Sequence, residues 1–179
     1  MITFVTGGNK SGKSDYALGL LESLPGPAVF MATGKAQDLA FREQISDHRV
    51  RRDPALPVVE AGRDLPHALG MAREEYKAVL VDSLDFWLYL CMREGRADEF
   101  AAALLDTLKT LKGGGTHVIL VSCEIGLSPL PASSETRAFL KKLGRLNQAV
   151  AALSDEAYLV VAGLPLALKK AEHGCIQAD

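Results

Sequence analysis

The apolar run Ile2-Thr3-Phe4-Val5-Thr6 leads directly into Gly7-Gly8-Asn9-Lys10-Ser11-Gly12-Lys13-Ser14, which fills every fixed position of the pattern G-x-x-x-x-G-K-[ST]. A strand, a glycine loop and a helix start thus follow one another in the order a phosphate-binding loop requires. Backbone N–H groups can wrap a polyphosphate only where no side chain blocks the approach, hence glycine. In this pattern Lys13 reaches the outer phosphates and Ser14 gives its hydroxyl to Mg²⁺. Gly7, Gly8, Asn9, Lys10, Ser11, Gly12, Lys13 and Ser14 are therefore the first candidate nucleotide-binding residues. An ordinary glycine-rich turn would leave Lys13 unexplained.

Apolar runs of strand length recur at Ile2–Thr6, Ala28–Ala32, Val58–Val59, Ala78–Val81, His117–Val121 and Tyr158–Ala162, with helix-like segments between most of them. That alternation predicts an α/β fold with a mostly parallel central sheet flanked by helices. The first helix begins near Gly12, carries Tyr16, Ala17, Leu20, Leu21 and Leu24 on one face, and ends at Pro25-Gly26-Pro27, because proline cannot continue it. Further helices are expected over Leu39–Arg52, Leu65–Glu75, Phe100–Leu111 and Ser134–Ala152, with Gly113-Gly114-Gly115 releasing the third of these into the next strand. A chain of 179 residues, 48% of them hydrophobic, suits one domain with a sizeable core. Its expected extent is residues 1–170, with 171–179 a frayed tail.

Charge and cysteine content narrow the partners. A formal charge of −2 leaves no electrostatic footprint for a nucleic acid or an anionic membrane, and the locally basic Arg49-Val50-Arg51-Arg52 suits one small phosphorylated ligand. Cys91, Cys123 and Cys175 are too few and too widely spaced for a disulfide framework or a zinc site, and read as small core residues in a reducing compartment. Neither a signal peptide nor a membrane span is visible, so a cytoplasmic location is expected.

Val79-Leu80-Val81-Asp82 is an apolar strand ending in a carboxylate, the arrangement by which phosphate-loop enzymes bring an acid to Mg²⁺ or its water shell. Ser14 and Asp82 are the candidate metal-side residues. Two alternatives stay open: Asp82 as the cap of a helix beginning near Ser83, and Asp85 as the metal-side acid in its place.

The segment Ile45-Ser46-Asp47-His48-Arg49-Val50-Arg51-Arg52 fits I-x-x-H-[RK]-x-x-R. With it come Thr6-Gly7-Gly8, Met31-Ala32-Thr33, Glu60, Val81-Asp82, Val121-Ser122-Cys123-Glu124-Ile125-Gly126, Gly144-Arg145-Leu146-Asn147-Gln148-Ala149 and a final stretch from Val160 to Lys169. In this order and spacing, over nearly the whole chain, the sequence resembles the bifunctional adenosylcobinamide kinase/adenosylcobinamide-phosphate guanylyltransferase family of cobalamin biosynthesis. It departs from the family's pattern at several positions, among them Gln44, usually arginine, Leu88-Tyr89-Leu90, where an asparagine is usual, Cys123, usually asparagine, and Phe139-Leu140-Lys141, usually phenylalanine-arginine-aspartate.

The resemblance implies a single-domain, RecA-like phosphate-loop fold and a transferase working in two steps. The first phosphorylates the aminopropanol hydroxyl of adenosylcobinamide with ATP or GTP. The second transfers GMP from GTP to that phosphate through a guanylyl-histidine, with Mg²⁺ present and pyrophosphate released. By position, His48 is the histidine that accepts GMP and Lys13 stabilises the triphosphate; Ala32, Thr33, Gly34 and Glu60 belong to the guanine-nucleotide site, and the protein is a homotrimer with corrinoid near subunit interfaces. The chemistry suits these residue types. Imidazole, with a reference pKa of ~6.5, is mostly neutral and nucleophilic near pH 7, and Arg52 shares its helical face four residues on. Arg49 and Arg51 are close enough in sequence to hold triphosphate oxygens. A carboxylate at Glu60 can accept paired hydrogen bonds from guanine that adenine cannot supply. Two other readings are a divergent nucleotide-binding regulatory module and a small-molecule kinase without a covalent step, which would make His48 incidental. Lys169 reads as a solvated lysine ahead of a nucleotide contact, and Glu124 as either functional or structural.

Overall fold

In the computed structural model, which describes residues 1–34, 55–127 and 131–170, strand β1 (Ile2–Gly7) is buried along its whole length. Its side chains alternate between two cores: Ile2 and Phe4 join one, Val5 the other. A strand covered on both faces must divide its residues this way, because successive side chains point to opposite sides. Strand β5 (His117–Cys123) repeats the division, with Val118 and Leu120 on one side and Ile119 and Val121 on the other.

The remaining strands are β2 (Ala28–Ala32), β3 (Val58–Glu60), β4 (Ala78–Asp82), β6 (Glu156–Val161) and β7 (Leu164–Lys169). They form one seven-stranded sheet in the order β3-β2-β4-β5-β1-β6-β7, parallel throughout except for the antiparallel β6–β7 pair. Helix α1 (Lys13–Ser23) packs Ala17 and Leu21 into the core that holds Val5, Phe30, Leu80, Ile119, Val121 and Val160. The other core is larger. It gathers α2 (Leu65–Glu75), α3 (Leu84–Arg93), α4 (Ala97–Leu111) and α5 (Ser134–Leu153) through side chains such as Leu69, Trp87, Leu108 and Val150. Trp87 is fully buried, and its indole N–H donates to the Arg63 carbonyl at 3.1 Å, which satisfies its one polar atom.

This is the mostly parallel, helix-flanked α/β fold that the sequence predicts. Its differences from expectation are local. Strand β7 and the full extent of α3 are additional, α4 starts three residues earlier than Phe100, and Ala162 leaves the last predicted strand for a turn with φ 51°. Proline suits β7 because it is an edge strand: Pro165 has no N–H to offer a further neighbour. The cap position of α3 falls to Ser83, so Asp82 closes β4 rather than opening the helix. Cys91 and Cys123 are buried, as expected. The predicted 39–52 helix, with His48, Arg49, Val50, Arg51 and Arg52, lies outside the described residues, as do Cys175 and the 171–179 tail. Among the described residues no helix is long and apolar enough to cross a membrane.

Candidate active site

Parallel strands gather their carboxyl ends along one edge, where loops can form a site over the sheet. Register alignment puts Glu60, Ala32, Asp82, Val121 and Val5 in one row across β3, β2, β4, β5 and β1, just short of Gly7. With strands about 4.8 Å apart, Asp82 stands roughly 10 Å from β1 and Glu60 roughly 19 Å.

The loop between β1 and α1 is held by its own backbone. Ser11 N–H donates to the Gly8 carbonyl at 3.2 Å, Tyr16 N–H to Gly12 at 3.0 Å, and Gly163 N–H to the Ser11 carbonyl at 2.8 Å. Two glycines are required by this geometry. A Cβ on Gly7 would lie 2.5 Å from both Ser11 Oγ and the Val160 carbonyl; Gly12 has φ 90° and would meet Gly163 Cα at 3.1 Å. Gly8 differs, for nothing lies within 4 Å of a Cβ built there. Lys10 has φ 55° and is exposed with Asn9, whereas Lys13 is half-buried and donates from Nζ to the Gly8 carbonyl at 3.4 Å. Ser14 follows in the first turn of α1, half-buried. Lysine and hydroxyl thus sit at the amino end of a helix, where backbone N–H groups and the helix dipole favour an anion.

Two carboxylates accompany the loop. Asp82 ends β4 half-buried; Asp85 lies in the first turn of α3 with Oδ1 shut off from solvent and without a hydrogen-bond partner among the described residues. Burial pushes the Asp85 carboxyl above the usual carboxylate range; a hydrogen bond from Ser83 and the Lys13 charge pull against that, while the Asp82 charge adds to it. Burial likewise raises the Cys123 thiol, opposed by Lys13. The donor set of one serine hydroxyl and aspartate carboxylates, with one buried carboxylate oxygen lacking a partner, fits a hard divalent cation such as Mg²⁺. No group of three or more His, Cys, Asp or Glu side chains among the described residues could hold a metal, so phosphate and water would complete its shell.

The expected base-side residues divide by role. Thr33 is buried, and its hydroxyl donates to the Ser83 carbonyl at 2.6 Å while accepting from Ser83 N–H at 2.8 Å. That side chain therefore clamps the β2 end to the β4–α3 junction and has little left for a ligand. Ala32 and Gly34 flank it, and Glu60 is exposed at the end of edge strand β3. Asn147 carries a role the sequence pattern leaves undefined: buried on α5, it accepts from Ser122 Oγ at 2.7 Å and donates to the Cys123 carbonyl at 3.1 Å. A polar residue amid Leu143, Leu146 and Val150 on a helix's buried face is the signal that points to it. It anchors the end of β5, where Glu124 N–H reaches the Gly7 carbonyl at 2.9 Å. The Glu124 carboxylate accepts from Gly126 N–H at 3.3 Å. Lys169 is exposed, as expected, and its ammonium donates to the carbonyls of Ala152, at 3.1 Å, and Ser154, closing the end of α5.

A glycine loop at the end of a central parallel strand, followed by a helix carrying lysine and serine, with an aspartate two strands away, defines a phosphate-loop NTPase fold of the RecA-like kind. The fold is similar to that of a KaiC-like protein from the archaeon Pyrococcus horikoshii, with a TM-score of 0.55 at 16% identity over 88% of this chain and 69% of that one. Residues 3–168 match the family model described as cobinamide kinase / cobinamide phosphate guanyltransferase, and the chain belongs to that family. It is 34% identical over 172 residues to the bifunctional adenosylcobalamin biosynthesis protein CobP of Pseudomonas aeruginosa, covering 94% of this chain and 98% of the relative. It is 26% identical to CobU of Salmonella typhimurium, covering 94% of this chain and 100% of the relative. The protein is accordingly a transferase of cobalamin biosynthesis.

Proposed function

We propose that this chain carries out two transfers at one loop. In the first, the hydroxyl oxygen of the aminopropanol arm of adenosylcobinamide attacks the terminal phosphorus of ATP or GTP. Its proton is released, the bond to the β-phosphate breaks and the nucleoside diphosphate leaves. In the second, an imidazole nitrogen of His48 attacks the α-phosphorus of GTP and pyrophosphate departs. An oxygen of adenosylcobinamide phosphate then attacks the same phosphorus, freeing His48 and giving adenosylcobinamide-GDP. Splitting the displacement spares two anions a direct encounter and gives each half a better nucleophile or leaving group.

The observation that carries this reading is the loop itself, closed on Gly8, Gly12 and Gly163 by its own backbone bonds, with Lys13 turned onto the Gly8 carbonyl. Groups already in place stabilise developing phosphate charge without reorganising during the reaction. Lys13 and the loop N–H groups of Gly8, Asn9, Lys10 and Gly12 orient the triphosphate, and Arg49, Arg51 and Arg52 hold its oxygens beside His48. Mg²⁺, when bound through Ser14 and Asp82, neutralises phosphate charge in both steps. Glu60, at the far end of the carboxyl edge, reads guanine if the nucleotide lies along that edge. The same reading makes the protein a cytoplasmic homotrimer.

Incubation with Mg²⁺ and GTP labelled at the α-phosphate tests it. Acid-labile label on the protein, absent from His48→Ala and discharged by adenosylcobinamide phosphate, is the expected result. Tight GTP binding without label would leave a plain kinase or a nucleotide-binding module.

A further inference from the structure

Asp85 is half-buried, and its carboxylate has a hydrogen bond from Ser83 and the pull of the Lys13 charge but no ion pair among the described side chains. Its Oδ1 is inaccessible and unbonded. Removing an ionised carboxylate from water costs several kcal/mol unless a cation or hydrogen bonds compensate. Asp82, near enough to act on Asp85 electrostatically, adds repulsion. Asp82 shares the strand parity of Leu80, which packs in the α1 core, while α3, which bears Asp85, packs in the other. Their spacing is held by Ser83 between them, whose N–H and carbonyl are both bonded by the Thr33 hydroxyl. Two acids near enough to repel, one of them within reach of the Lys13 charge, are unfavourable together and favourable once a divalent cation arrives.

We propose that Asp85 is a second carboxylate of the cation seat, sharing with Asp82 the divalent cation that accompanies the nucleotide. This rests on the loop's being the nucleotide site. It gives Asp85 and Asp82 joint roles where the sequence left them as rivals, and it makes cation binding measurable before any nucleotide is present.

The test uses the whole chain without nucleotide, titrated with Mn²⁺ and followed by loss of the free-ion electron paramagnetic resonance signal. Asp85→Asn should weaken Mn²⁺ binding by about 10- to 100-fold, the range for losing a supporting metal-site group. In chelator the same variant should melt at a higher temperature than the parent, since a buried charge has gone. A residue needed only for folding would shift melting the other way. Asp85→Ser, smaller and neutral, repeats both comparisons. Unchanged Mn²⁺ binding in both variants, or a lower melting temperature in chelator, would overturn the inference while GTP binding by the parent stood. Absence of GTP binding by the parent would instead overturn the nucleotide reading, and this one with it.

Discussion

Asn147→Leu removes a side chain of similar volume that bridges α5 to the end of β5, and its cost can be worked from the two hydrogen bonds it breaks. Ser122 Oγ loses its acceptor and the Cys123 carbonyl its donor, and both residues are buried, so water does not replace either partner. At about 1–3 kcal/mol for each buried polar group left unpaired, less a little for the gain in apolar surface, the variant should lose about 2–4 kcal/mol. Against a total of about 5–15 kcal/mol for a domain, that is a large fraction. With a urea m-value of about 2 kcal/mol/M, the midpoint should fall by about 1–2 M. Ser122→Ala should cost about 1 kcal/mol in the parent and close to nothing in the Asn147→Leu background, where its hydroxyl already has no partner. Because Glu124 N–H beside this anchor meets the Gly7 carbonyl, GTP affinity should fall as well. A midpoint shift below about 0.3 M, or two costs that simply add, would refute the argument that this pair closes the site from behind.

The loop glycines should separate by role: Gly7→Ala, with a Cβ 2.5 Å from a carbonyl, should lose both stability and GTP binding, whereas Gly8→Ala should stay within about 0.5 kcal/mol of the parent in urea and lose GTP affinity by calorimetry. Lys169→Met should destabilise by about 1 kcal/mol by freeing the last carbonyls of α5, without changing guanylylation. Burial raises the Asp155 carboxyl, but the Ile2 N–H at 2.8 Å and Lys112 at 3.3 Å outweigh it and hold its pKa below the ordinary range. Its stabilisation is therefore present above the unfolded value of ~3.9 and lost as pH falls through the lower folded value. Acid unfolding of Asp155→Asn below about pH 4 should be correspondingly shallower, as followed by circular dichroism.

The fold was legible where one pattern had one solution. The apolar runs of β1, β4 and β5 sit in strands buried on both faces, and the glycine loop fixes the turn from β1 into α1. Strand β7 was less legible, because Leu164-Pro165-Leu166 reads as a break until an edge position removes the objection to proline. The run Leu84 to Cys91 is apolar nearly all round, so its helical period is faint. At the site, residue type and spacing single out Lys13, Ser14 and Asp82, but not partners. That Thr33 binds Ser83, that Asn147 joins Ser122 to the Cys123 carbonyl, or that Lys169 closes α5 depends on elements far apart in sequence meeting in space.

The bond from Gly163 N–H to the Ser11 carbonyl ties the β6–β7 turn to the glycine loop. Ala162 and Gly163 both have positive φ, so this short turn presents a donor in one direction only. The consequence is a limit on insertion: hairpin tips usually tolerate added residues, but one residue more here would swing the donor away and slacken the loop across from it. Length variation in homologous chains should therefore avoid this tip, although it lies on the surface and beside an edge strand whose Leu164, Leu166 and Leu168 are exposed.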